Sequence, residues 1–171
     1  VFYRVAEAGR EARRLAGGRS LWATLDGGRS GPEVLLATHR SDGLAGIQDT
    51  GDASRIGAMT RQVDVEESDV IATHAPLITA AMEHVAHPAI RNRGTFGGSI
   101  AFADPAAEMP ACAVALGATM PIAGKGGTRA IPAADFFKGP YEPAIGEGEI
   151  LTAVSVPKIP SARKPHLSEA P

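Results

Sequence analysis

Two short stretches place paired glycines beside hydroxyl side chains: Ala16-Gly17-Gly18-Arg19-Ser20 and Thr95-Phe96-Gly97-Gly98-Ser99. Adjacent glycines let a backbone approach a ligand closely, and consecutive N–H groups form a concavity that attracts phosphate. Ser20, Thr95 and Ser99 add hydroxyls, and Arg19 adds positive charge. Either stretch alone also reads as a plain turn. A diphosphate needs several convergent donors, so the two make better sense together. Just downstream lies Ala103-Asp104-Pro105-Ala106-Ala107-Glu108-Met109-Pro110. Asp104 and Glu108 have the chemistry to accept from sugar or ribityl hydroxyls. The competing readings are a cap before Pro105 for Asp104 and an exposed first-turn charge for Glu108. No G-x-G-x-x-G and no G-x-x-x-x-G-K-[ST] occurs, so phosphate binding would need another scaffold than a Rossmann or P-loop unit.

Other reactive side chains read more plainly. His84 and His87 have helical spacing and His74 lies nearby, but no third ligand is suitably placed for a metal, and surface or helix-end roles fit better. Cys112, the single cysteine, sits among Ala111, Ala113 and Val114 as a buried, inert thiol. Arg91 and Arg93 either offset a diphosphate or anchor their loop to neighbouring carbonyls. Phe136 and Phe137 read as core, and Arg10, Arg13 and Arg14 as a solvated face.

The elements that must position these residues are short. Residues 1–8 read as the end of a helix closed by Gly9, and residues 13–16 and 34–38 as strands. A hairpin is expected from 45–48 and 54–58 around Asp49-Thr50-Gly51-Asp52. Asp64 is placed to cap a short helix carrying Glu66 and Glu67. Pro76 starts a helix whose Leu77, Ile78, Ala81, Met82 and Val85 recur at helical spacing, ended by His87-Pro88. Residues 90–99 read as a structured loop. Pro105 opens a helix through Leu116 with Gly117 just past its end. Strands follow at 118–123 and 129–131, a short helix at 133–137, and a final strand at 151–156 before Pro157. Residues 161–171 read as a frayed tail. Together these predict an α+β fold with a small lobe over 1–38 and a larger one over 39–157, followed by an irregular stretch, 158–171.

The chain has 171 residues with 44% hydrophobic and 21% charged, an ordinary globular composition. Seventeen basic residues against 19 acidic ones leave −2, which excludes a general nucleic-acid or anionic-membrane binder. One cysteine allows no internal disulfide, no cysteine-based zinc site and no iron–sulfur cluster. The longest apolar run, 111–123, is broken by Gly117 and Pro121 and is too short to span a bilayer. The first residues lack the apolar core of a signal peptide, so a cytoplasmic protein is expected.

The run 90–99 with 103–110 resembles the FAD-binding medium subunit of the molybdenum hydroxylases, the family of carbon monoxide dehydrogenase and xanthine dehydrogenase. Residues 16–20 resemble that family's first pyrophosphate loop, with Arg19 where many relatives carry His, Gln or Asn. Further fragments in the same order are Ile56-Gly57-Ala58-Met59-Thr60, Asp135-Phe136-Phe137 before Gly139, and Gly148-Glu149-Ile150-Leu151. The likeness covers about residues 5–157.

The resemblance implies a two-lobed FAD-binding domain of the PCMH type (p-cresol methylhydroxylase, vanillyl-alcohol-oxidase-like), incomplete at its start and without the usual C-terminal domain. It implies that Ala16, Gly17, Gly18, Arg19 and Ser20 grip the FAD diphosphate from the small lobe, and Thr95, Gly97, Gly98 and Ser99 from the larger one. Asp104 and Glu108 would bind ribityl or ribose hydroxyls, and Ile150 or Leu151 would pack near the adenine or flavin edge. No residue of the chain is assigned a catalytic role. The implied function is electron transfer: from a large molybdenum–pterin subunit through [2Fe–2S] clusters of a small subunit to FAD, then to a quinone, NAD or oxygen. The chain would not be active alone. The alternatives are a truncated, FAD-free paralogue serving only in assembly, and an unrelated nucleotide-binding lobe such as that of a cell-wall precursor reductase.

Overall fold

The computed structural model describes residues 12–15, 34–37 and 43–158. The helix expected over 1–8, the first diglycine bend and the tail lie outside them. Strands β1 (Ala12–Leu15) and β2 (Val34–Ala37) pair in parallel, close to the expected 13–16 and 34–38.

The remainder is built on an antiparallel sheet. Strands β3 (Ile47–Asp49) and β4 (Ala53–Gly57) form the expected hairpin around 50–52. Its turn is fixed by Asp49, whose Oδ1 accepts from Gly51 N–H at 2.8 Å. Strands β5 (Thr119–Gly124) and β6 (Gly127–Pro132) form a second hairpin. The chain's last strands complete the sheet. β10 (Ala153–Pro157) lies between β4 and β5, giving the order β3-β4-β10-β5-β6, and β9 (Ile150–Leu151) pairs with β5 beside that path. The single strand expected over 151–156 is therefore interrupted at Thr152. Leu151 faces Ile122 whereas Ser155 faces Thr119, so four steps on one strand oppose three on the other. That one-residue slip is a bulge. Strands β7 (Phe137–Gly139) and β8 (Glu142–Pro143) form a small hairpin that the sequence pattern did not show.

Among the described residues, seven short helices cover the sheet: α1 (Gln62–Glu66), α2 (Asp69–His74), α3 (Pro76–Met82), α4 (Pro88–Arg91), α5 (Phe96–Phe102), α6 (Glu108–Ala115) and α7 (Ala133–Phe136). Asp64 is not a cap but a first-turn residue of α1; Arg61 holds the cap position, and Ser68 caps α2 through Ile71 N–H at 3.3 Å. Helix α3 begins at Pro76 as expected but stops at Met82. Val85 is still buried, beyond the helix, and the chain turns there through Ala86 at φ 46°. Pro105 does not open a helix: it sits in a turn, and α6 starts at Glu108, ending with Gly117 at φ 63°. The largest departure is at 90–99. The glycines that suggested a loop instead begin helix α5, because Thr95 caps it.

One core joins the sheet to the helices, with Ile56, Ile78, Met82, Phe96, Ile100, Met109, Met120 and Phe136 fully buried. Phe137 packs edge-to-face on Phe136 with ring centres 5.0 Å apart, so both phenylalanines serve packing. No described helix is long and apolar enough to cross a membrane.

Candidate functional site

Helix α5 is held at its N-terminus by an unusually complete set of bonds. Phe96 N–H donates to Thr60 O at 2.8 Å, Gly97 N–H to Ala58 O at 3.0 Å, and Gly98 N–H to Thr95 Oγ1 at 3.2 Å. Helix starts normally leave such donors open. Here all three are used, so the diglycine does not offer a row of vacant N–H groups to an anion. The motif's work is positional. A Cβ at Gly97 would lie 2.5 Å from Ala58 Cα and Cβ, so only glycine lets the helix rest against the end of β4.

Thr60 secures the other side of that junction. Its hydroxyl donates to Gly46 O at 3.1 Å and accepts from Gly46 N–H at 3.0 Å, while its own carbonyl takes Phe96 N–H. Gln62 N–H donates to Gly94 O at 3.0 Å, which makes 60–62 and 94–96 a short antiparallel bridge. Arg91 sits behind it, 9% exposed. Its Nε–H and Nη2–H donate to Glu66 at 2.7 and 3.1 Å, and its Nη1–H groups donate to Val85 and Ala86 carbonyls, each at 2.9 Å. Arg91 is thus an anchor, with four of its five N–H donors committed to Glu66 and the 85–86 carbonyls. Arg93 is exposed, and its guanidinium has no partner among the described residues.

The opposite side of α5 carries small residues. Gly98, Ser99 and Ala101 are half-buried, and the Ser99 hydroxyl makes no hydrogen bond among the described residues. Seven residues at about 1.5 Å rise put roughly 10 Å between this helix start and Asp104. Asp104 is also half-committed. Its Oδ1 accepts from Ala106 N–H at 2.9 Å and from Tyr141 O–H at 3.4 Å, while Oδ2 has no partner among the described residues. The local capping reading and the ligand reading therefore use different oxygens. Glu108 is half-buried in the first turn of α6, one turn before Cys112, whose thiol burial and the Glu108 charge push up to about 11.

Tyr141 is a residue the sequence pattern missed. It is 55% exposed at φ 62°, donates its N–H to Ala103 O at 2.8 Å and packs edge-to-face on Phe102 at 5.1 Å. Ala103, the residue before Asp104, is left-handed as well, at φ 52°. Two non-glycine residues in that region bonded to one another mark a conformation held by its surroundings.

Leu151 is 7% exposed, with its side chain in the core. Its peptide is another matter. Thr152 N–H donates to Pro121 O at 2.9 Å, and antiparallel pairs alternate, so the adjacent pair Leu151–Ile122 is of the non-hydrogen-bonded kind. The N–H and C=O of Leu151 consequently turn away from β5, toward the side of β9 where no strand lies among the described residues. An adjacent donor and acceptor suit the edge of a heteroaromatic ring. The described half of the site therefore fits a flavin dinucleotide. It has a small-residue helix face with a free hydroxyl, an unpaired carboxylate oxygen about 10 Å on, and an unpaired peptide edge. No group of three or more His, Cys, Asp or Glu side chains that could hold a metal ion occurs among the described residues.

Residues 1–159 match the family described as the FAD binding domain in molybdopterin dehydrogenase. The chain is 38% identical over 156 residues to the 6-hydroxypseudooxynicotine dehydrogenase complex subunit alpha of Paenarthrobacter nicotinovorans, covering 91% of this chain and 53% of that protein. It is 38% identical over 157 residues to the carbon monoxide dehydrogenase medium chain of Afipia carboxidovorans, covering 92% and 54%. The solved structure of a carbon monoxide dehydrogenase from Hydrogenophaga pseudoflava, lacking the Mo-pyranopterin moiety of the molybdenum cofactor, superposes with a TM-score of 0.90 at 35% identity. That match covers 94% of this chain and 56% of that one. The chain spans about half the length of these relatives.

Proposed function

Because the chain belongs to the family of FAD-binding domains in molybdopterin dehydrogenases, we infer that it is the FAD-holding, electron-transferring part of a molybdenum hydroxylase medium subunit. The superposition at TM-score 0.90 with a carbon monoxide dehydrogenase chain, over 94% of this chain, carries this reading. Bound FAD supplies the redox chemistry; the protein supplies grip, orientation and the exclusion of water.

Each residue has a distinct share. Ala16, Gly17, Gly18, Arg19 and Ser20 hold the diphosphate from the lobe of residues 1–38. Thr95 and Gly97 set the angle of α5 and so present Gly98 and Ser99 to the diphosphate from the lobe of residues 39–157. Asp104 accepts a ribityl or ribose hydroxyl on its unpaired oxygen, and Glu108 accepts a second. The Leu151 peptide meets the edge of a ring, while its side chain stays in the core. A large molybdenum–pterin subunit and a small [2Fe–2S] subunit complete the cytoplasmic complex and feed electrons to this domain, which passes them to an external acceptor. The domain is not active alone.

Co-expression with candidate partner subunits, followed by purification and flavin absorbance, tests the reading. A yellow complex with one FAD per copy of this chain is expected. A colourless complex would instead make the chain an assembly piece.

A further inference from the structure

Arg129 on β6 and Glu149, the residue before β9, form a closed fork. The Arg129 Nε–H donates to Glu149 Oε1 at 2.8 Å, and Nη2–H donates to Oε2 at 2.7 Å. Nη2–H also donates to Ala144 O at 3.0 Å. Glu149 closes its own loop, with Oε2 accepting from Gly146 N–H at 2.7 Å and its N–H donating to Gly146 O at 3.1 Å. One guanidinium thus ties both ends of 144–149 to the sheet. The planar match of guanidinium and carboxylate makes this a directional contact rather than a loose pairing of charges.

The route between the two residues is specifically kept open. Ile122 of β5 stands opposite Arg129 on one side and Leu151 on the other. Gly124, at the end of β5, separates Arg129 from Glu149, and a Cβ there would come 2.9 Å from Glu149 Cγ. Strand β9 has only two residues and one partner strand among the described ones. After Leu151 the chain is held by Thr152 N–H on Pro121 O at 2.9 Å; before it the two-residue ladder ends, and Glu149 of the fork lies two residues ahead of Leu151.

We propose that Arg129, acting through Glu149, is a positioning residue that holds the Leu151 peptide in place for a ring edge of the bound dinucleotide. This rests on the FAD reading above. An adenine and a flavin each present a neighbouring ring donor and acceptor, and the test separates them.

The flavin-stripped complex, prepared as wild type, Arg129→Gln, Glu149→Gln and the double variant, is titrated with FAD, with ADP and with FMN. Each single variant is expected to weaken FAD binding about tenfold, the scale of one well-formed charge-assisted contact. The double variant should be no worse than either single, and hydrogen exchange at Ile150–Leu151 should rise in all three. A parallel loss for ADP alone assigns adenine to Leu151, and one for FMN alone assigns the flavin. Unchanged FAD affinity, losses that add in the double variant, or equal weakening of ADP and FMN would overturn the proposal. Failure of the wild type to bind FAD at all would instead remove the reading beneath it.

Discussion

Replacing Gly97 by alanine adds one methyl group at the tightest contact of the candidate site. The new Cβ would sit 2.5 Å from Ala58 Cα and Cβ and 2.7 Å from Ala58 O. Carbon atoms rest at about 3.5–4.0 Å, so α5 has to retreat by about 1 Å. A retreat of that size takes Gly97 N–H and Phe96 N–H out of range of Ala58 O and Thr60 O, now at 3.0 and 2.8 Å. Two such bonds are worth about 0.5–1.5 kcal/mol each, and overpacking adds about 1–3 kcal/mol. Alanine's better helix propensity returns about 1 kcal/mol. The net loss is about 1–5 kcal/mol, centred on about 3 kcal/mol, which for a chain of this size lowers the melting temperature by roughly 6–12 °C at the centre of that range. Gly126→Ala, where a Cβ meets nothing within 4 Å, serves as control and should shift stability by less than about 1 kcal/mol. Chemical denaturation of the flavin-stripped protein measures both variants. A Gly97→Ala protein as stable as the control, with undiminished FAD affinity, would refute the claim that this glycine sets the helix against β4.

Three further outcomes are expected. Arg91→Ala leaves the Val85 and Ala86 carbonyls and the Glu66 carboxylate without their donor, and should cost about 3 kcal/mol or more in denaturant titration; a change below about 1 kcal/mol would contradict its anchoring role. Asp104→Ala should weaken FAD binding about tenfold or more in fluorescence titration, the scale of a hydrogen bond to a charged group, whereas Ser99→Ala should weaken it only a few-fold. The Cys112 thiol is raised to about 11 by burial and the nearby Glu108 charge, so the folded state keeps its proton where the unfolded chain has lost it. This stabilisation is fully present below the ordinary thiol value of 9.0 and is lost as pH rises from there toward about 11. Thiol labelling near pH 8 should be slow in the folded protein and fast after unfolding.

The hairpin at 47–57 and the strands within 119–132 were legible because turn residues punctuate apolar ones, and the candidate site shows in the sequence only as composition: glycines beside hydroxyls, carboxylates beside prolines. What the sequence concealed was the use made of each group. Two adjacent glycines argue against a helix by propensity, yet α5 begins on them, because Thr95 caps it and Ala58 and Thr60 take its first donors. Tertiary contact outweighed local preference there. Leu151 reads in the sequence as a residue beside the ligand; what no local pattern reveals is that its side chain lies in the core while its N–H and C=O turn away from β5. Arg91 and Glu149 are charges whose partners lie 25 and 20 residues away, a pairing no local pattern reveals. Tyr141 was hidden for the same reason, since its left-handed backbone depends on Ala103.

The most direct test is an experimental structure of the chain, purified with its partner subunits, with FAD bound. The diphosphate should lie between residues 16–20 and Gly98–Ser99, with a sugar or ribityl hydroxyl on Asp104 Oδ2 and a ring edge on the Leu151 peptide. A flavin bound elsewhere, or the two diglycine bends facing away from one another with nothing shared between them, would contradict the assignment.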